Sequence, residues 1–334
     1  MTAPNGAGPV VLAGDVGGTK VVLGLFRGDR LLASERYPSR GESGLEPVCS
    51  AFLAGRRESP RASAFGVAGP VVKGRVETTN LPWVVETRSL ERMLGGPVAL
   101  LNDLEATGHG VDALDPASLL ELNEGREVQR APRALIAAGT GLGQGYMVFD
   151  AHAGRYAPAA SEGGHSDFGA RTDDEIELLR HLRGRYGHVS AERVVSGMGI
   201  REIFDFLAAT GRHPVPAALR EAIEQGDPPA VISRAAMDGT HAVCVETMRL
   251  FASAYGAEAG NLALKIMALG GVYVGGGIAP KVLPLLTGGR FLEGFFDKGR
   301  FAPLMARMPV RVILDPDCAL RGAARAASRL VPPG

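Results

Sequence analysis

The chain has little from which a metal finger or a disulfide framework could be built. Its 334 residues hold three cysteines, Cys49, Cys244 and Cys318, far apart and in no CxxC or Cys/His cluster. That pattern argues against a structural zinc site and against a secreted, disulfide-stapled scaffold. Lysine is also scarce, standing only at positions 20, 73, 265, 281 and 298. Arginine supplies the other positive charges, and 36 basic residues balance 36 acidic ones with no long run of either sign. So even a balance makes nucleic acid or an anionic membrane a poor main partner. There is no run of about 18 apolar residues to span a bilayer, and no basic stretch followed by an apolar core at the start. The expected location is the cytoplasm.

What is present describes a folded protein. Hydrophobic residues make up 46% and charged ones 22%, which excludes a disordered chain. The length gives room for about two domains, each with a core of its own.

The chain is organised around residues 10–26, where an apolar β-branched run ends in Gly14-Asp15-Val16-Gly17-Gly18-Thr19-Lys20 and a second apolar run follows. This is strand, tight turn, strand. The residues after Lys20 lack helical spacing, and neither GxxxxGK[ST] nor GxGxxG fits. Gly17 and Gly18 are expected to allow positive φ and to let backbone N–H groups close on an anion. Asp15 would then sit beside that anion as a ligand for Mg²⁺ or its waters. An ordinary hairpin turn is the plain alternative. Residues 134–149 repeat the design around Gly139-Thr140-Gly141-Leu142-Gly143. Two such units, one in each half, point to two similar lobes whose turns serve one nucleotide.

Spacing predicts further strands over 31–37, 64–68, 98–101, 271–274 and 310–314, with a small hairpin over 71–76. Helices are predicted over 44–53, 90–94, 105–111, 173–186, 200–210, 217–225, 230–237 and 320–330. The longest periodic segment is 241–269, carrying Val245, Met248, Phe251, Tyr255, Leu262 and Ile266. Residues 115–130 read as turn-rich, and 280–289 as a loop with a short element inside.

A strand over 98–101 delivers Asn102 and Asp103 at its C-terminal edge, where ligands of open α/β sheets sit. Phosphoryl transfer needs a base for the acceptor's proton, and Asp103 is the candidate; capping of the next helix is the competing reading. Glu162-Gly163-Gly164-His165 pairs a carboxylate with an imidazole across two residues without side chains, an arrangement suited to a polyol or sugar. Glu192 could join them or merely start a helix.

Together with Glu192-Arg-Val-Val-Ser-Gly197, residues 270–278 (Gly-Gly-Val-Tyr-Val-Gly-Gly-Gly-Ile) and Asp297-Lys-Gly-Arg-Phe301, these motifs resemble the bacterial ATP-dependent glucokinases over nearly the whole chain. The resemblance implies a two-lobed α/β fold of the hexokinase/actin (ribonuclease H-like) type with a ligand cleft between the lobes. The small lobe would comprise 1–113 plus 316–334, with the C-terminal helix packed back on it, and the large lobe 114–315. It implies MgATP as donor, glucose as acceptor, a homodimer, and Asp103 as base for the 6-hydroxyl. Asn80, Asn102, Glu162, His165 and Glu192 would hold other hydroxyls. Gly17, Gly18, Thr19, Gly139, Thr140 and Gly141 would bind phosphates, with Lys20 beside them, and Gly275, Gly276 and Gly277 would lie near the adenosine. Lys20 departs from the Asn of many relatives, as do Pro82 and Met198 from the usual residues. The related repressor/kinase group is disfavoured because its Cys-rich motif is missing. Another hexose as acceptor, or a non-catalytic sugar sensor on the same fold, are the rival readings.

Overall fold

The structure, a computed structural model, describes residues 8–78 and 81–331. The chain divides into two compact units: residues up to Pro116 with Arg155–Ala160 and those from Asp315 onward, and Ala117–Gly154 with Ser161–Leu314.

The first unit carries β1 (Val10–Val16), β2 (Lys20–Arg27), β3 (Arg30–Pro38), β4 (Ala62–Val67), β5 (Arg75–Glu77), β6 (Val84–Glu86) and β7 (Val98–Asn102). Its main sheet runs β3-β2-β1-β4-β7, antiparallel across β3-β2-β1 and parallel across β1-β4-β7. Strand periodicity sends alternate side chains of β1 to opposite faces. Leu12 and Val16 join Phe65, Leu45, Val48 and Phe52 in one core, whereas Val11 and Ala13 meet Ala64, Leu320, Ala323 and Ala327 in another. The helix Cys318–Leu330 therefore covers one face of this sheet. It also crosses the helix Asp103–Val111 at a distance only glycine permits: a Cβ at Gly322 would stand 1.7 Å from Ala106 O, and one at Gly110 2.0 Å from Cys318 O.

Two expectations need correction here. The hairpin over 71–76 is reduced to a bridge between Val72 and Arg75, and Arg75–Glu77 pairs instead with β6. The helix predicted from 90 begins at Thr87.

The second unit carries β8 (Leu119–Asn123), β9 (Arg133–Ala138), β10 (Leu142–Asp150), β12 (Val272–Gly275) and β13 (Val310–Ile313), while β11 (Arg155–Ser161) runs across the boundary between the units. Within this unit the strands are ordered β10-β9-β12-β13-β8. The turn-rich reading of 115–130 missed β8, which pairs antiparallel with β13. The long helix is Ala242–Ile266; Tyr255 on it is fully buried between Phe251 and Phe291, while Val245 faces outward at 42% exposure. A further helix, Arg290–Phe296, follows the loop and was not expected. Among the described residues no helix is long and apolar enough to cross a membrane.

Candidate active site

In the first unit the polar residues gather at the ends of the parallel strands. Register aligns Val16 of β1 with Val67 of β4, and Val67 with Asn102 of β7, so Asp15 and Asn102 sit at one edge of the sheet. Gly66 makes this possible, since a Cβ there would come within 2.7 Å of Ala106 Cβ on the helix that follows β7.

Asn102 is the last residue of β7 and caps that helix: its Oδ1 accepts from Leu104 N (2.9 Å), and Glu105 Oε2 accepts from Asn102 N (3.2 Å). Its amide also donates to Gly69 O at 3.1 Å. Capping is thus real, and it fixes the direction of Asp103, the first residue of the helix, whose Oδ1 accepts from Leu104 N at 2.9 Å. The helix N-terminus favours a carboxylate at this place.

Asp15 stands where β1 ends. Burial is the main reason its pKa is pushed up to about 6; Lys20 pulls it down, and the charges of Asp103 and Asp317 push it further up. Asp317 drew no attention in the sequence, because only the return of the C-terminal helix brings it here.

The first glycine turn differs from expectation in its backbone. Among the described residues, the glycines of positive φ do not include Gly17 or Gly18. The turn is closed by Gly17 N donating to Lys20 O (2.9 Å), and the buried Ser39 ties it to the end of β3, its Oγ donating to Gly17 O (2.7 Å) and its N to Thr19 O (3.1 Å). Thr19 and Lys20 are exposed.

In the second unit, Gly139, Thr140 and Gly141 form the turn between β9 and β10, and Gly275, Gly276 and Gly277 follow β12. Parallel register places Gly275 beside Ala137, so the two turns are neighbours. Gly276, with φ +83°, lies so close to β9 that a Cβ would be 2.3 Å from Ala138 O. Between the strand ends sits the Tyr255 hydroxyl, which accepts from Ala138 N (3.2 Å) and faces Gly275 O (3.3 Å). Periodicity marked Tyr255 only as a core residue.

Glu162, His165 and Glu192 come together in this unit. His165 Nε2 is 3.7 Å from Glu162 Oε2, and its Nδ1 is 3.9 Å from Glu192 Oε1. Glu162 precedes and His165 ends a single 3₁₀ turn, Gly163–His165, and both are exposed; Glu192 is partly buried within the turn Ala191–Arg193. The two segments are joined by Ala191 N donating to Ser166 O (2.8 Å) and Phe168 N to Val189 O (2.9 Å). Glu192 reaches further, its Oε2 accepting from Leu142 N at 2.9 Å, and a Cβ on Gly141 would meet that oxygen at 2.3 Å. Asn80 lies outside the described residues. A cavity of about 380 Å³ opens elsewhere in this unit, lined by Leu219, Val231, Arg234 and His241, and includes none of the predicted site residues.

The family model and the sequence relatives agree on one family. The family model described as Glucokinase matches residues 12–330. A glucokinase of Nostoc sp. is 41% identical, the alignment covering 96% of this chain and 99% of that protein. Among solved structures, a glucokinase from an Antarctic psychrotroph superposes with a TM-score of 0.83 at 29% identity, covering 96% of this chain and 99% of that one. A ROK family glucokinase from Streptomyces griseus, in complex with glucose and AMPPNP, shares the fold at a TM-score of 0.67 and 24% identity, over 96% and 99% of the two chains.

Proposed function

The chain belongs to the glucokinase family, and from that premise we propose that it transfers the γ-phosphoryl group of ATP to the 6-hydroxyl of glucose, with Asp103 receiving the hydroxyl proton. The products are glucose 6-phosphate and ADP. The fold is the α/β type of the hexokinase-like sugar kinases.

The observation that best supports these roles is the register of β1, β4 and β7, which holds Asp103 within electrostatic reach of Asp15. As the 6-hydroxyl oxygen bonds to the γ-phosphorus and the bond to the ADP oxygen breaks, the proton passes to the Asp103 carboxylate. Asn102, Glu162, His165 and Glu192 hold the remaining hydroxyls, their carboxylates accepting and the Asn102 amide donating. We keep Asn80 as a further sugar contact on the sequence resemblance alone. Backbone N–H groups around Gly17, Gly18, Thr19 and at Gly139, Thr140, Gly141 face the phosphates, with Lys20 adding positive charge, and Gly275, Gly276 and Gly277 leave room for the adenosine.

Mg²⁺ fits this arrangement in one way. Among the described residues no three acidic, imidazole or thiol groups converge as a metal cage, so Asp15, raised in pKa by burial, would be the protein's contribution beside phosphate and water ligands. There the ion would neutralise charge on the transferring phosphoryl group.

We place the protein in the cytoplasm, where ATP is available, and propose a homodimer on the family resemblance. The lobes are proposed as 1–113 with 316–334, and 114–315; the clustering of residues from Asp315 onward with those up to Pro116 supports that division.

Coupled ADP production with MgATP tests the reading, comparing glucose with mannose, fructose, glucosamine and no sugar. Turnover should require glucose, and Asp103→Ala should lower kcat by about 10³-fold while glucose still binds. Near-normal turnover in that variant would remove Asp103 from its role, and sugar binding without ADP release would point to a sensor.

A further inference from the structure

We infer that Glu258 is a positioning residue, which through Gln144 holds the Gly163–His165 turn that presents Glu162 and His165 to the sugar; this rests on the sugar-side reading given above. Glu162 and His165 are themselves exposed, and among the described residues their side chains meet charged groups only in each other and in Glu192. What fixes the turn lies beneath it. Gln144, 1% exposed in β10, and Glu258, 6% exposed on the helix Ala242–Ile266, form a buried polar pair.

Glu258 Oε1 accepts from Gln144 Nε2 at 2.7 Å, and its Oε2 accepts from Asn261 Nδ2 at 2.9 Å. An ionised carboxylate can only accept. The amide nitrogen of Gln144 must therefore face Glu258, and its oxygen must face the turn. There Oε1 lies so close to Gly163 that a Cβ on that glycine would stand 2.4 Å from it. The backbone of Gln144 makes a second connection: Ser161 Oγ donates to Gln144 O (3.2 Å) and accepts from Gly163 N (3.2 Å). Gly164 is held as closely on its other side, where a Cβ would meet Leu142 O at 2.0 Å.

A buried carboxylate among Ala257, Ala259 and Gly260 is a costly way to fill space, since an apolar side chain packs there without desolvating a charge. Its return is orientation. The charge has a counterpart in Lys298, whose shaft occupies the space beside Gly260, 2.8 Å from where a Cβ would be. Burial and Arg171 pull the Lys298 pKa down, and Asp297 and Glu258 pull it up. The Asp297-Lys298 segment, prominent in the sequence but given no role in the proposed chemistry, thereby gains a part in holding the sugar loop.

Steady-state kinetics with glucose and MgATP on the full chain test this. Glu258→Gln keeps the shape but offers one acceptor where there were two, so the Gln144 or the Asn261 amide must turn over or lose its bond, and glucose KM should rise about tenfold, with ATP KM and kcat each changed less than about threefold. The exchanged pair, Gln144→Glu with Glu258→Gln, reverses the polarity of the same hydrogen bonds: the new amide donates to the new carboxylate and accepts from Asn261. Glucose KM should return to within about threefold of wild type. Asn261→Ala, at a partly exposed position, serves if Glu258→Gln does not fold, and should raise glucose KM about twofold to threefold. Unchanged glucose KM in the variants that fold, or equal rises in both KM values without recovery in the exchanged pair, would overturn the inference. Glu162→Ala separates the two levels: if it too leaves glucose KM unchanged, the sugar-side reading fails; if it raises glucose KM while the buried variants do not, only the role of Glu258 fails.

Discussion

The turn after β1 and the turn after β9 share one design, strand, glycines, strand, yet they are supported differently. The first is held locally, by Lys20 and by Ser39 at the end of the next strand but one. The second has a local bond of its own, Gly139 N to Gly141 O (2.9 Å), and is held besides by distant parts of the chain: Gly197 N donates to Gly139 O (2.8 Å), Ile278 N to Ala138 O (3.2 Å), and Glu192 accepts from Leu142 N. Asp15 precedes the first turn, whereas Ala137 holds the corresponding place before the second. The same local sequence device thus serves two tasks. On the proposed function, one turn would bring a carboxylate to the phosphates, and the other would join phosphate contacts to sugar contacts through a shared side chain.

The sharpest way to break this contrast is Gly141→Ala. The added Cβ displaces the end of Glu192, a flexible side chain, so folding should survive while glucose kcat/KM falls about 50-fold, the loss expected when a charged hydrogen-bonding group is misplaced. ATP KM should rise with it, because Leu142 N loses its acceptor. A lesion confined to ATP would uncouple the two functions of the turn. Ser39→Ala removes the support of the first turn, and should raise ATP KM about threefold without moving glucose KM.

Asp15→Asn sharpens the difference in charge. With a pKa of about 6 in the folded chain against 3.8 for an unperturbed carboxyl, the native state holds this proton more tightly than the unfolded one. Ionising Asp15 therefore costs stability, a cost that begins as pH rises past the unfolded pKa and is complete above the folded one. The variant should melt about 3 °C higher than wild type at pH 7.5 without ligands, and the gain should vanish by about pH 4. A constant gain at all pH values would trace it to something other than ionisation. The smallest effect belongs to Gly17→Ala: its Cβ would meet nothing closer than Lys20 O at 3.4 Å, so both KM values should stay within about twofold. Measured side by side, Gly141→Ala and Gly17→Ala ask directly whether the two turns carry different loads.

Much of this organisation was legible before any coordinates. Apolar runs on either side of a glycine turn located β1, β2, β9 and β10, and the signal is most continuous in β1 and β2, which are buried on both faces. The helix Asp173–Tyr186 was bounded correctly, its start marked by an acidic first turn. Short elements escaped. Residues 84–86 and 119–123 owe their pairing to partners distant in sequence, and three to five residues are too few to show a period. In the site, the motif residues stood out because small and polar residues interrupted apolar runs. Gln144 and Glu258 did not, since their partnership spans 114 residues and no local pattern announces it. A signal was nonetheless there: Glu258 falls on the apolar stripe through Phe251, Tyr255 and Leu262, where a lone carboxylate calls for a partner.

The packing of the helix Cys318–Leu330 against Asp103–Val111 has a consequence for the order of events at the ribosome. Cys318 Sγ meets Thr107 O at 3.5 Å across a separation of 211 residues. At synthesis rates of about 5–20 residues per second, that interval lasts roughly 10–40 s. During it the strands of the first sheet emerge with one face still uncovered, whereas residues 117–154 and 161–314, which hold the core of the second unit, are all made before residue 318. The nascent chain thus holds every residue of its second unit before the helix that covers the first sheet and packs against Asp103–Val111 has been made.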